Sequence, residues 1–239
     1  IDNRVVAGRK IPQDSMVKLM RGKRGTRVML GVKRGSLDEL VDIEVERAPI
    51  EIHSIETAFM LDQSSKIGFV RLSQFSRTSY NEMVEALTRL RAEGMRGLIL
   101  DLRGNGGGLM SEAVNIISLF VPKGSLAVSS KGTTDDSRRE YMTMSEPIDT
   151  EMPVIVMVDG GSASASEIVS GGLQDLQRAR VMGKTSYGKG LVQSIRPLPY
   201  NGQMKVTTAK YYTPSGRCVQ GIGVTPDIEV DIPSYSRLV

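Results

Sequence analysis

The chain has 239 residues, 40% of them hydrophobic, and a net charge of +4, enough for one large globular domain or a medium one with a smaller companion. One cysteine, Cys218, excludes an internal disulfide, and a single histidine beside it leaves no Cys/His cluster for zinc; no apolar run approaches the ~20 residues of a membrane-spanning helix. The basic excess, RGKRGTR (21–27) with Lys33 and Arg34, lacks interleaved aromatic residues, so it reads as a solvated face rather than a nucleic-acid or membrane patch.

The start, IDNRVVAGRK, reads as the middle of a strand-turn unit without the apolar stretch of a signal peptide, so a region before residue 1, carrying any export signal, is expected. Residues 1–48 hold a helical SMVKLMRG and strands in TRVMLGVKRG and ELVDIEVERAP, which predict a small strand-rich module with one helix. Residues 49–65 read as a connector, and KIGFVRLSQF, 66–75, opens a second region that runs to 239.

From there the pattern is α/β, of the mixed α+β kind. Ser79 and Glu82 have capping-box spacing; Tyr80, Met83, Val84, Leu87 and Leu90 line one helical face, and Gly94 is a natural stop. GLILDL (97–102) predicts a buried strand, RGNGGG breaks it, LMSEAVNIISLFV has helical spacing and SLAVSS is a strand candidate. The polar stretch 131–151 predicts a surface excursion. PVIVMVD (153–159) is a second buried strand, followed by GGSASAS and the helical EIVSGGLQDLQ; ARVMG, LVQSIRPL, QMKVTTAKYY and DIEVDI then make the last third mostly sheet.

A buried strand that runs through small residues into a helix presents side chains where backbone N–H groups are free. Ser162, Ser164 and Ser166 all occupy such a turn, with plain helix capping and close packing as the alternative to nucleophilic chemistry. A serine nucleophile needs a base. His53 lies in the connector and reads as incidental. That leaves a lysine held neutral by burial, and Lys189 in TSYGKGLVQ, flanked by glycines and with little charge nearby, suits an enclosed position. Bringing a lysine from ~10.4 to ~7 costs roughly 4–5 kcal/mol, which the rest of the fold has to offset. RGNGGGL is a second source of free N–H groups, suited to an oxygen that gains negative charge in acyl transfer. It is not a dinucleotide motif, because position 109 is leucine, and GKT at 183–185 misses phosphate-loop spacing because position 178 is arginine.

The stretches IGFVRLSQF, GLILDLRGNGGGL, VDGGSASASEIVSGGLQD, GKTSYGKGLVQ and KVTTAKYYTPSGRCVQGIGVTPDIEV resemble the C-terminal processing proteases, also called tail-specific proteases. The resemblance implies a core like that of ClpP and crotonase, a serine endopeptidase that cuts near protein C-termini through an acyl-enzyme, and no cofactor or metal. It assigns Ser164 as nucleophile, Lys189 as base, Gln193 as the group assisting the lysine, and the N–H of Ala165 with that of Gly108, or else Gly107, as the oxyanion hole. The family's Asn-Asn-Pro-Gly-Gly turn reads Gly-Asn-Gly-Gly-Gly at 104–108. Residues 1–48 resemble the second half of a PDZ domain, whose carboxylate-binding loop is expected upstream. The implied partners are proteins with accessible C-terminal tails, a second copy of the chain or a regulatory adaptor, with no nucleic acid and with membrane association only through the upstream region. The implied location is the periplasm or envelope of a bacterium. Two other readings stand beside this one: a resting or truncated peptide-binding and assembly module, and an acyl-CoA enzyme of the crotonase type, for which no CoA-binding feature is present.

Overall fold

The computed structural model describes residues 1–35, 37, 39–49, 53–134, 137–200 and 202–231, and the chain divides into two compact units, Ile1–Ile52 and His53–Val239. Residues 50–52 of the expected connector and 232–239 of the expected core lie outside the described residues.

The first unit holds α1 (Gln13–Met20) and the antiparallel pair β1 (Arg27–Lys33) and β2 (Leu40–Glu46). The register sets Val28 opposite Val45, Leu30 opposite Ile43 and Val32 opposite Val41, so the period-2 pattern gathers the apolar side chains on one face. Val28 is its one buried apolar residue among those described, and α1 buries none. An apolar groove lined by Val17, Met20, Val28, Leu30 and Val45 lies between helix and strands. Arg47 ties the groove's end together, donating from Nε to the Met20 carbonyl (2.7 Å) and from Nη1 to the Arg27 carbonyl (2.8 Å); the first of these satisfies a carbonyl that the helix end leaves open.

The second unit is built on a six-stranded sheet in the order β12-β9-β8-β5-β4-β3, where β3 is Ile55–Asp62, β4 Ile67–Leu72, β5 Gly97–Asp101, β8 Val154–Val158, β9 Arg180–Gly183 and β12 Ile228–Glu229. All neighbours are parallel except β3 with β4. The two apolar runs of the sequence are the central strands β5 and β8, where Leu98, Leu100, Val154, Val156 and Val158 are buried, as strands covered on both faces require. Each such side chain contributes roughly 1.5–3 kcal/mol by leaving water. Helix α2 (Ser79–Ala92) lays Met83, Leu87 and Leu90 on this core, and α3 (Met110–Ser118) and α4 (Ala165–Asp175) pack against each other and against β6 (Leu126–Lys131). A second, antiparallel sheet runs β10-β11-β6-β7, with β7 Arg139–Met142, β10 Leu191–Pro197 and β11 Gln203–Tyr212.

Three local expectations are corrected. Residues 55–62 of the expected connector form the edge strand β3; bulges on either side of Thr57–Met60 interrupt its pairing, and with them the alternation that would have marked it. The polar excursion 131–151 contains β7, paired to β6. The capping box at Ser79–Glu82 does not form: Thr78 is the N-cap, the Ser79 hydroxyl bonds Ser54 and the Ser76 N–H, and the Glu82 carboxylate accepts from the N–H groups of Ser54 and Ile55. The far end of α2 does stop at Gly94 (φ +88°), whose N–H reaches the Arg91 carbonyl while that of Met95 reaches Leu90, the Schellman arrangement that a left-handed glycine permits.

Candidate active site

Strands β5 and β8 are neighbours in the sheet, so the turns after them meet at their carboxyl ends. Four hydrogen bonds join the turns: Gly104 N–H to Asp159 Oδ1 (2.9 Å), Ala163 N–H to the Asn105 carbonyl (3.0 Å), Ser166 Oγ to that same carbonyl (2.8 Å) and Ser162 Oγ to the Leu102 carbonyl (2.8 Å). This separates the three serines. Ser162 and Ser166 are fully buried, their protons committed to carbonyls, whereas Ser164 is partly exposed.

Ser164 is the N-cap of α4 and has φ 59° and ψ −114°, outside the regions that a side-chain-bearing residue occupies freely. Gly107 fits beneath it. A Cβ at Gly107 would lie 2.7 Å from Ser164 Cβ and 2.6 Å from the Ala163 carbonyl, and one at Gly108 (φ +152°) would lie 2.1 Å from the Phe75 carbonyl, so both positions need glycine. The turn is pinned by Phe75, which donates its N–H to Gly107 and accepts from the Leu109 N–H. The Gly107 N–H is spent on Asn105 Oδ1 (2.8 Å). The N–H groups of Gly108 and Ala165 have no acceptor among the described residues, Ala165 because it is the first residue of a helix.

Lys189 departs from the sequence expectation. Its main chain is enclosed, but the residue is exposed, and its amine makes no hydrogen bond among the described residues. The buried partners are the flanking glycines: a Cβ at Gly190 would lie 2.7 Å from the Gln220 N, and one at Gly188 would lie 3.1 Å from Gly223 N. With glycines packed inward on both sides, the chain turns the intervening side chain out. Gln193, after a bulge in β10, is also exposed, with Nε2 3.3 Å from Thr207 Oγ1. His53 is exposed, 3.9 Å from Glu82, and among the described residues shares no partner with Ser164.

Two groups that the sequence reading missed link these segments. Glu167 is fully buried, and its Oε2 accepts the N–H of Ser164 (2.8 Å) and of Lys189 (2.8 Å), while Oε1 accepts the Ser186 hydroxyl (2.6 Å) and the Gly188 N–H (2.6 Å). A single oxygen atom therefore sets the spacing between the main chains of Ser164 and Lys189. The second group is Tyr211 on β11, 4% exposed, whose Oη lies 3.2 Å from Ser164 Oγ and 2.5 Å from the Lys189 carbonyl oxygen. Burial pushes its phenol up to about 12, the Glu167 charge adding to the rise and the Ser164 hydrogen bond opposing it, so it is a protonated donor at neutral pH and not a base. The signal for Glu167 was present as Ser-x-x-Glu at a helix start; nothing local marked Tyr211.

Chemically, the arrangement is a half-exposed hydroxyl on a strained turn at a helix N-terminus, with two unengaged N–H groups beside it and an amine-bearing segment tied to it through one carboxylate. Comparison with known proteins identifies the family. The family model described as peptidase family S41 matches residues 66–230. The carboxy-terminal-processing protease of Bartonella bacilliformis is 38% identical over 237 residues, covering 98% of this chain and 53% of that protein. A probable CtpA-like serine protease of Staphylococcus epidermidis is 35% identical over 95% of this chain and 45% of its own length. The chain thus spans about half the length of these curated relatives. Among solved structures, the photosystem II D1 C-terminal processing protease superposes with a TM-score of 0.68 at 31% identity, over 88% of this chain and 57% of that one.

Proposed function

Because the chain belongs to peptidase family S41, we propose that its second unit is the catalytic core of a serine endopeptidase that cuts proteins near their C-terminal ends, with Ser164 as nucleophile and Lys189 as base. The observation that carries the reading is the separation of the three serines: Ser164 alone is partly exposed, strained and free of a carbonyl acceptor among the described residues, at the start of α4. The name of the relative at 38% identity, carboxy-terminal-processing protease, supports the substrate class, and that of the relative at 35%, serine protease, supports a serine nucleophile.

In this reading the Lys189 side chain swings from its exposed position onto Ser164 Oγ, under a substrate chain that strips water from the amine, and takes the hydroxyl proton. The oxygen attacks the peptide carbonyl, and the N–H groups of Ala165 and Gly108 receive the oxyanion, where preorganised donors act most strongly. The ammonium gives its proton to the leaving amine, forming the acyl-enzyme, and the amine then activates water for deacylation. Gln193, four residues along β10, orients the lysine. Gly107 serves the site by letting its turn approach Ser164, its own N–H being engaged. The first unit, a helix followed by an antiparallel pair around an apolar groove, is read as part of a PDZ module that holds substrate tails.

The test is covalent labelling with a fluorophosphonate. The chain is expected to be labelled at Ser164; Ser164→Ala removes the label, and Lys189→Ala slows labelling by ~100-fold or more. Label on Ser162 or Ser166 instead, or undiminished labelling of Lys189→Ala, overturns the assignment; a chain that binds peptide without accepting label is a binding module.

A further inference from the structure

We propose that Tyr211 is a further catalytic residue, whose phenol, anchored at the main-chain carbonyl of Lys189, is a hydrogen-bond donor to the Ser164 oxygen; this rests on the reading of Ser164 as nucleophile. The geometry makes the phenol the donor toward both of its neighbours. The phenol has one proton and two candidate neighbours, the Lys189 carbonyl at 2.5 Å and Ser164 Oγ at 3.2 Å. The contact to the carbonyl is the shorter, so at rest the proton lies mainly there. At 3.2 Å Ser164 Oγ is the second acceptor of that same donor, so the proton of the serine hydroxyl stays available to the base.

The phenol is held in place from behind. Tyr211 pairs with Ser130 of β6 across the second sheet, and its own N–H donates to the Gly190 carbonyl (3.0 Å). With Glu167 on the other side, both polar main-chain groups of Lys189 are tied to the serine, the N–H through Glu167 Oε2 and the C=O through Tyr211. The side chain is then the part of Lys189 left to move. When the amine takes the Ser164 proton, the O–H bond of serine breaks and an N–H bond forms on lysine. Tyr211 keeps its own proton throughout and re-aims it from the carbonyl to the oxygen that has become negative. Holding the serine oxygen in place is worth most at the chemical step, since misplacement by about 1 Å costs up to ~100-fold.

The experiment measures fluorophosphonate labelling of the 239-residue chain as a rate constant at saturating probe and a half-saturating concentration. Tyr211→Phe keeps the buried ring and loses the donor: the rate constant is expected to fall ~10-fold or more, with the half-saturating concentration unchanged and Tm within a few degrees. Replacing Tyr211 by 4-aminophenylalanine, whose amine both donates and accepts, is expected to restore most of the rate. A Phe variant labelled at the wild-type rate overturns the proposal, as does a folded aminophenylalanine variant as slow as Phe. Should the Phe variant fail to fold, the aminophenylalanine variant decides by the same criterion. A wild-type chain that takes no label at Ser164 removes the nucleophile assignment and this proposal together, whereas a fast Phe variant removes this proposal alone.

Discussion

The starts of helices α2 and α4 carry the same sequence spacing, Ser79-x-x-Glu82 and Ser164-x-x-Glu167, but Ser79 is the first residue of its helix and Ser164 the N-cap of its own. Glu82 turns outward from its helix and gathers the strand that precedes β4, accepting the N–H groups of Ser54 and Ile55 on Oε2 and the Thr78 hydroxyl on Oε1. Glu167 takes its own N-cap N–H and adds donors from the 186–189 segment, so that backbone N–H groups face both of its oxygens. The difference lies in the donors. A hydroxyl can reverse and accept; a backbone N–H cannot. One glutamate is thus a replaceable staple and the other an obligatory acceptor, although the local pattern is identical.

The largest effect that sharpens this contrast is expected from Glu167→Gln, which sets an amide NH2 against backbone N–H groups on one side whichever way it turns. A buried donor left facing a donor costs ~1–3 kcal/mol, more when a charge-assisted bond is lost. Thermal unfolding should therefore show a clear drop in Tm, and labelling at Ser164 should fall by at least ~100-fold because the serine and lysine main chains lose their shared acceptor. A Glu167→Gln variant that labels and melts like the wild type would break the comparison.

The smaller effect is expected from Glu82→Gln, whose amide oxygen can keep the two N–H groups while its NH2 faces the Thr78 hydroxyl. It should lower stability by ~1 kcal/mol, about 2–4 °C for a domain of this size, and leave labelling unchanged. Burial raises the Glu82 carboxyl, but the hydrogen bonds from Ile55, Thr78 and Ser54, with His53, outweigh it and hold the group below its ordinary value of 4.5. A carboxyl depressed by folding contributes stability above its unfolded value and loses it as pH falls through the folded one. The stability gap between wild type and Glu82→Gln should accordingly be constant near neutrality and close below about pH 4.5; a gap that widens in acid would contradict the assignment.

The same contrast shows what could be read in the sequence. The central strands and the helical faces were legible because Leu98, Leu100, Val154 and Val156 or Met83, Leu87 and Leu90 recur at periods that burial imposes. Strand β3 was not, since its bulges break the period. Within the site, the serine turn stood out through its small residues. Which use Glu167 makes of its carboxylate depends on Ser186, Gly188 and Lys189, some 20 residues on, and Tyr211 reaches Ser164 across 47 residues of chain. Such partners are fixed by sheet register, and a bulge at Val192–Gln193 shifts register in a way no local pattern announces. The sequence flanks Lys189 with glycines as if to enclose its amine, yet the glycines are themselves what the fold encloses.

The backbone of Ser164, at φ 59° and ψ −114°, sets the fold against its own chemistry. Holding a side chain in such a geometry costs ~1–3 kcal/mol, whereas glycine's added freedom when unfolded costs only about 0.5–1, so Ser164→Gly should melt higher than the natural chain while refusing the label. Robustness alone would erase the hydroxyl, and selection for heat tolerance without a demand for turnover would be expected to arrive at a sturdier, inert protein by a single replacement.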